Sequence, residues 1–315
     1  MTGERPHDLA PPLEHEVLDV IGALKHFIRK AAPLKVDMVL QGETGTGKDT
    51  LARCIHKLSR REGPLIALNC AAVPEQLAES ELFGVIAGAY TGASKSRAGY
   101  IEASNHGTLY LDEIDSMPLL LQAKLLRVLE MRGIERLGST RFVPLDLRVI
   151  VATQTPLEKL VEEGKFRRDL FFRLNVIKVL LPTLRSELQH IQPLFQRFVH
   201  EAAKRHHQPI PDPDPHLLKQ LLCHRWSGNI RELKCAAERF VLGMPPIQTE
   251  NDEPDFEGTE NLKSYLRLFE KALIQDCLSR HPKCIEAVVN ELGIPRRTLY
   301  HRIKTLSIDC SELPS

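Results

Sequence analysis

The chain has 315 residues, room for two domains and a sizeable core at about 100 to 200 residues per domain. Its 42 Lys and Arg against 41 Asp and Glu exclude a globally basic nucleic-acid coat, so any DNA contact must be local. Hydrophobic residues at 43% and charged residues at 26% fit an ordinary globular protein. No uncharged apolar run approaches the roughly 18 residues that span a bilayer, and MTGERPHDLAPPLEHE has no apolar segment behind its first charges, as a secretory signal requires. A cytoplasmic protein is expected. Cys54, Cys70, Cys223, Cys235, Cys277, Cys284 and Cys310 are odd in number, scattered and never in C-x-x-C spacing, which reads as reduced thiols.

Short β-branched runs alternate with helical patterns between about residues 36 and 181, the signature of a parallel sheet with crossover helices. The strand candidates are VDMVLQ, LIALNC, TLYLD, LRVIVAT and VIKVLL. Within SMPLLLQAKLLRVLEMR, Leu121, Leu125 and Val128 fall on one helical face, with Pro118 acceptable in the first turn. From Pro182 to about Leu242 the pattern is helical only, as in a small lid on an α/β core. Residues 241–260 carry six acidic side chains and no Lys or Arg, the mark of a solvated linker. His200, His206 and His207 lack the spacing of a metal site and read as a solvated face.

Behind the first strand, Gly42, Glu43, Thr44, Gly45, Thr46, Gly47, Lys48, Asp49 and Thr50 follow G-x-x-x-x-G-K, with Asp49 in place of the usual Ser or Thr. Glycines let backbone N–H groups close around phosphate oxygens, and Lys48 supplies charge for the β and γ phosphates. Without a hydroxyl at 49, magnesium must lean on other ligands. These are supplied by GTLYLDEID, an apolar strand ending in carboxylates: Asp112 for the metal and Glu113 for the attacking water. Such a loop also opens helices that bind nothing, and acids at a strand end are often merely solvated; the two together at this distance make a nucleotide site.

Between these motifs lies ESELFGVIAGAYTGA, whose Gly88, Ala89, Tyr90, Thr91, Gly92 and Ala93 spell GAYTGA. This segment resembles the GAFTGA loop of the bacterial enhancer-binding proteins, AAA+ ATPases that activate RNA polymerase carrying sigma-54, and the family's GESGTGKE loop is here GETGTGKD. The likeness covers roughly residues 16 to 307. It implies that ATP and Mg2+ are the cofactors and that an acid after Lys48 is the family's habit. It further implies that Tyr90 and Thr91 form the tip that touches sigma-54, and that Asn69 restrains the catalytic Glu113, although a short amide there also suits a helix cap. Thr153 and Gln154 stand where the family has Thr-Asn as a γ-phosphate sensor. Arg167 and Arg173, within GKFRRDLFFRLN, match its arginine fingers, which act on the neighbouring subunit's nucleotide; a surface salt bridge is the plainer reading of either one. WSGNIREL resembles the lid motif WPGNxREL with Ser227 for Pro, and makes Arg231 the second sensor.

Residues 261–315 hold nine Lys or Arg against six Asp or Glu. Ala287, Val288, Leu292, Ile294, Leu299 and Ile303 have the apolar spacing of two helices meeting across a short Gly-containing turn. Arg296, Arg297, Thr298, Tyr300, His301, Arg302 and Lys304 on the second helix suit phosphates and base edges. The segment resembles the Fis-type helix-turn-helix domain that ends this family, with a helical hairpin bearing a basic face as the plainer alternative. The expected partition is a tail at 1–15, an α/β ATPase subdomain at 16–182, a helical lid at 183–242, an acidic linker at 243–260, the helix-turn-helix domain at 261–307 and a tail at 308–315. About 35 residues precede the first strand, too few for a receiver or ligand-sensing domain. Within the family, the short motifs are most similar to the Hrp-type activators of type III secretion genes. That resemblance implies a hexameric ring, homomeric or shared with a paralogous activator, acting on the sigma-54 polymerase holoenzyme at upstream double-stranded DNA and restrained by an anti-activator. An ATPase-deficient ring partner or repressor, indicated by Asp49 and Gln154, is the alternative.

Overall fold

Residues 22–89, 95–212, 217–247, 285–306 and 308 are described in the computed structural model, together with 270, 271, 273, 274, 277, 278 and 281. The chain forms α1 (Gly22–Ala31), β1 (Met38–Gln41), α2 (Lys48–Ser59), β2 (Leu65–Asn69), α3 (Glu75–Phe83), α4 (Tyr100–Ala103), β3 (Thr108–Asp112) and α5 (Leu119–Met131). It continues through β4 (Gly133–Glu135), β5 (Phe142–Pro144), β6 (Arg148–Thr153), α6 (Leu157–Glu162), α7 (Arg168–Leu174) and β7 (Ile177–Leu180). Five strands pair in the order β2-β3-β6-β1-β7, all parallel. Each of the five apolar runs in the sequence supplies one of them. Helices cover both faces, so the central strands β1, β3 and β6 are buried along nearly their whole length rather than alternating, while the edge strands β2 and β7 are partly exposed.

Helix α5 buries Leu121, Leu125 and Val128 against Leu109, Leu111, Val149 and Val151 of the sheet. Pro118 sits at the cap, just before the first helical residue and not within the first turn, with ψ near 142°. An antiparallel ribbon of β4 and β5 follows α5. Strands of three residues are too short to print a period on the sequence, which is why the pattern did not reveal them. At the start of β6, Arg148 is 2% exposed. It donates to the carbonyls of Val36 at 2.9 Å and Ala32 at 2.6 Å, tying the chain after α1 to the sheet.

Two compact units are present: residues 1–183 with 228–231, and residues 184–227 with 232–315. The segment Gly228–Arg231 clusters by contact with the α/β unit. The second unit contains α8 (Leu188–His206), α9 (Leu217–Cys223) and most of α10 (Asn229–Val241). Trp226 is fully buried there, its indole N–H donating to the Leu221 carbonyl at 2.8 Å. Further along, α11 (Ile285–Leu292) and α12 (Arg296–Thr305) share a small core of Val288, Leu299 and Ile303 with Ile274, Cys277 and Ile285. Among the described residues no helix is long and apolar enough to cross a membrane.

Candidate nucleotide-binding site

The loop from Gly42 to Gly47 leaves the carboxyl end of β1 and runs directly into α2, so the first free N–H groups of that helix face the loop. Gly45 has φ +77°, and a Cβ placed there would lie 2.1 Å from the carbonyl oxygen of Gly228. Only glycine fits. Thr46 is buried and its hydroxyl donates to the Glu43 carbonyl at 2.8 Å. Lys48, also buried, reaches back over the loop and donates to the carbonyls of Gly42 at 2.8 Å and Glu43 at 2.9 Å. Burial lowers the Lys48 pKa from the usual lysine value, opposed by Asp112, Asp115 and Glu113. A buried cation whose ammonium bonds to loop carbonyls is what an anionic ligand completes. Asp49 is taken up by Arg53, one turn along, at 2.9 Å.

Asp112 ends β3, opposite Asn69 in the parallel register. Glu113 follows with φ 50° and ψ 48°, a left-handed conformation that a glutamate rarely adopts and that turns its side chain out of the strand direction. Its N–H donates to Asp112 Oδ1 at 3.0 Å. Asn69 Oδ1 accepts the N–H groups of Ala71 at 2.8 Å and Ala72 at 3.2 Å. The turn-capping reading is therefore the one observed for that oxygen, and Nδ2 is what the side chain has left to offer a carboxylate. The Asp115 Oδ1 atom is buried without a hydrogen-bond partner among the described residues. Burial and the neighbouring carboxylates push the Cys70 thiol up to about 12, which keeps it protonated.

Sequence reasoning singled out Arg231 and missed its neighbour Asn229. Asn229 is fully buried, and its amide donates to the Thr44 carbonyl at 3.0 Å and to Glu43 Oε2 at 3.3 Å. The Ile230 N–H donates to the Gly45 carbonyl at 3.0 Å. The segment 228–231 is thereby bonded to the phosphate loop, and the positive charge of Arg231 acts on Lys48. On the sheet, the Gly42 N–H donates to the Thr153 carbonyl at 3.2 Å, which brings the tip of β6 to the loop. Thr153 is buried with its hydroxyl donating to the Thr155 carbonyl at 2.7 Å, while Gln154 is exposed.

The two arginine candidates are placed differently. Arg167 is exposed at the start of α7 and forms a two-pronged pair with Asp169, at 3.1 and 2.6 Å. Arg173 is drawn inward, donating to Asp37 Oδ2 at 3.0 Å and to the Leu129 carbonyl at 2.9 Å.

Gly88 and Ala89 of the GAYTGA loop are described; Tyr90, Thr91, Gly92 and Ala93 lie outside the described residues. The root of the loop is fastened to the ribbon: the Ile86 N–H donates to the Leu137 carbonyl at 3.1 Å, and the Leu137 N–H to the Gly84 carbonyl at 3.0 Å. Gly138 has φ +78°, and a Cβ there would stand 2.6 Å from that of Ala89. In the second unit, Arg296, Arg297, Thr298, Tyr300, His301, Arg302 and Lys304 are all exposed, so α12 turns a basic face to solvent while Leu299 and Ile303 face its core.

The residues fit a magnesium nucleotide. Gly45 and Gly47 carry the loop through positive φ, 77° and 93°, Lys48 is a buried cation suited to an anion, and Asp112 could serve as protein ligand to a magnesium that keeps waters and phosphate oxygens in its shell. A parallel sheet of this order with the loop after β1 and acids at the tip of β3 defines a nucleotide-binding protein of the AAA+ class. Residues 18–180 match the sigma-54 interaction domain family and residues 185–252 the AAA+ ATPase lid domain. The chain is 58% identical over 295 residues to the pathogenicity locus probable regulatory protein WtsA of Pantoea stewartii subsp. stewartii, covering 94% of this chain and 91% of that one. It is 60% identical over 275 residues to the corresponding protein HrpS of Pseudomonas syringae pv. syringae, covering 87% and 91%. Among solved structures, NtrX from Brucella abortus in complex with ADP superposes with a TM-score of 0.68 at 29% identity, over 96% of this chain and 70% of that one. The chain belongs to the sigma-54-dependent activators, as a regulator of the Hrp type.

Proposed function

We propose that this protein is a cytoplasmic ATPase that assembles as a hexameric ring, binds upstream double-stranded DNA and remodels the sigma-54 polymerase holoenzyme at promoters of type III secretion genes. The observation that carries the reading is the convergence of Lys48, Asp112 and the left-handed Glu113 around one glycine loop, in a chain whose family is defined by sigma-54 interaction. Lys48 holds the β and γ phosphates, Asp112 binds magnesium, and Glu113 takes a proton from the attacking water. The charge that develops on the transferring phosphoryl group is met by an arginine of the adjacent subunit. Thr153 with Gln154, and Arg231, report the phosphate state to the rest of the unit. The GAYTGA segment, Gly88 to Ala93, touches sigma-54, and its root on the β4–β5 ribbon carries motion from the site to the client. The basic face of α12 enters DNA as the second helix of a helix-turn-helix pair. Ring assembly makes a paralogous activator or an anti-activator an effective regulator, since either changes how many interfaces are competent.

The test is open-complex formation by purified protein, sigma-54 holoenzyme and ATP on a promoter with its upstream site. Activity that needs ATP hydrolysis and the upstream DNA is expected. DNA binding without ATP turnover, even at high protein concentration, would favour an ATPase-deficient partner or repressor.

A further inference from the structure

The face of β3 that ends in Asp112 carries another polar group, because residues two apart on a strand point to the same side. Thr108, Tyr110 and Asp112 share that face. It looks onto α2: Thr108 Oγ1 and His56 Nδ1 are 2.9 Å apart. A strand advances about 3.3 Å per residue and a helix about 1.5 Å. Since α2 runs back along the sheet, a step from Thr108 to Tyr110 matches a step from His56 to the turn of Arg53, and the next step, to Asp112, reaches the turn of Asp49. Tyr110 is 1% exposed, and its hydroxyl has no well-aligned hydrogen bond among the described residues. A phenol is protonated at neutral pH, so this hydroxyl is an O–H donor on the same strand face as the Asp112 carboxylate.

A buried hydroxyl seeks an acceptor. Asp49 is already neutralised by Arg53 at 2.9 Å. Asp112 accepts the Glu113 N–H through Oδ1 at 3.0 Å, and the two oxygens of a carboxylate offer about four lone-pair sites. We propose that Tyr110 is a positioning residue for magnesium: its hydroxyl donates to the Asp112 carboxylate and fixes the direction in which the remaining lone pairs meet the ion. This rests on the ATPase reading above and deepens it. The need arises at Asp49, which stands where the loop motif places a hydroxyl, so that the orientation of Asp112 counts for more.

The experiment uses the full chain and a fluorescent, non-hydrolysable ATP analogue, titrated first in EDTA and then with increasing MgCl2. Loss of a group that orients a metal ligand typically costs about 10- to 100-fold in metal affinity. Tyr110→Phe is expected to bind the analogue in EDTA as wild type does, and to require roughly 10-fold more Mg2+ for half-maximal tightening. In an Asp112→Asn background the same substitution should add no further shift, because the hydroxyl acts through that carboxylate. Identical Mg2+ dependence in Tyr110→Phe and wild type overturns the proposal, and so does an undiminished shift in the Asp112→Asn background. A wild-type protein that binds no analogue in Mg2+ removes the ATPase reading itself, and the role of Tyr110 with it; a magnesium-responsive wild type matched by Tyr110→Phe removes Tyr110 alone.

Discussion

Asp37 and Arg173 form an ion pair of 3.0 Å in which the carboxylate is only 2% exposed. Asp37 Oδ1 also accepts the Val149 N–H at 2.9 Å, so this one carboxylate joins the start of β1 to β6 and to α7. Removing Arg173 leaves a buried charge with the Val149 N–H at 2.9 Å and Arg132, at 3.8 Å, among its remaining partners. Breaking a buried pair from one side costs about 3 to 5 kcal/mol; with Arg173 itself 27% exposed and Arg132 close by, a loss on the order of 2 to 4 kcal/mol is expected for Arg173→Ala. Thermal melting should drop by several degrees in Arg173→Ala and hardly at all in Arg167→Ala, whose pair with Asp169 is exposed. Equal melting of Arg173→Ala and wild type would leave Arg173 available as a finger and nothing more.

Gly45→Ala tests how closely the phosphate loop and the segment 228–231 fit. The new methyl meets the Gly228 carbonyl at 2.1 Å from a backbone at φ +77°, so the loop must move or the segment must leave it. Nucleotide affinity is expected to fall by at least about 10-fold, by the cost of strain at a special backbone conformation. Asn229→Ala, which removes a donor from the Thr44 carbonyl and from Glu43 Oε2, should have a smaller effect, on the order of 1 to 2 kcal/mol. Fluorescent-nucleotide titration ranks the two, and the reverse order would mean that the amide, not the close approach, organises the loop.

The sheet and the phosphate loop were legible because their signals are local. Five β-branched runs gave five strands, and G-x-x-x-x-G-K followed by an acid-tipped strand points to Lys48, Asp112 and Glu113 by local pattern alone. Asn229 was not legible, since its partners Glu43 and Thr44 are some 185 positions away and nothing in WSGNIREL says which side chain turns inward. Arg173 was assigned from its motif; Asp37, which has no motif, is what holds it within its own chain. The ribbon of β4 and β5 escaped because it is held by its neighbours, through the pairing of Leu137 with Gly84 and Ile86, and not by any period of its own.

Lys48 and Glu113 should separate binding from chemistry. Lys48→Ala is expected to lose nucleotide binding, and Glu113→Ala to keep binding while losing hydrolysis, because in the proposed mechanism one supplies charge to phosphates and the other activates water. Burial lowers the Lys48 pKa in the free protein, and a bound polyanion favours its charged form. Affinity should therefore weaken as pH rises through the depressed free-state value, starting below the range of an ordinary lysine, and should be flat on the acid side until other groups titrate. Comparable nucleotide affinity in Lys48→Ala and wild type contradicts this division.

Thr91→Ala tests the proposed contact with the client separately from the phosphates. ATPase activity and DNA binding are expected to persist while open complexes fail to form. A fall in turnover to the level of Glu113→Ala would place the residue in the catalytic machinery instead.

The last expectation concerns the ring. A finger acts on the nucleotide of the next subunit, so a mixed ring of Arg167→Ala and Lys48→Ala chains contains some sites that pair a sound loop with a sound neighbouring finger. Neither variant alone has such a site. Mixing the two purified proteins should thus restore part of the turnover, with a maximum near equal amounts, because interfaces of the productive type are commonest there. Arg173→Ala makes the informative comparison: once its stability loss is offset by working at low temperature, rescue by Lys48→Ala to the same extent would show that Arg173 leaves Asp37 and reaches across when subunits meet. Rescue of Arg167→Ala alone assigns the finger to Arg167 and the structural pair to Arg173. Failure of every mixture, with rings seen to form by light scattering, would confine both arginines to roles inside their own subunit.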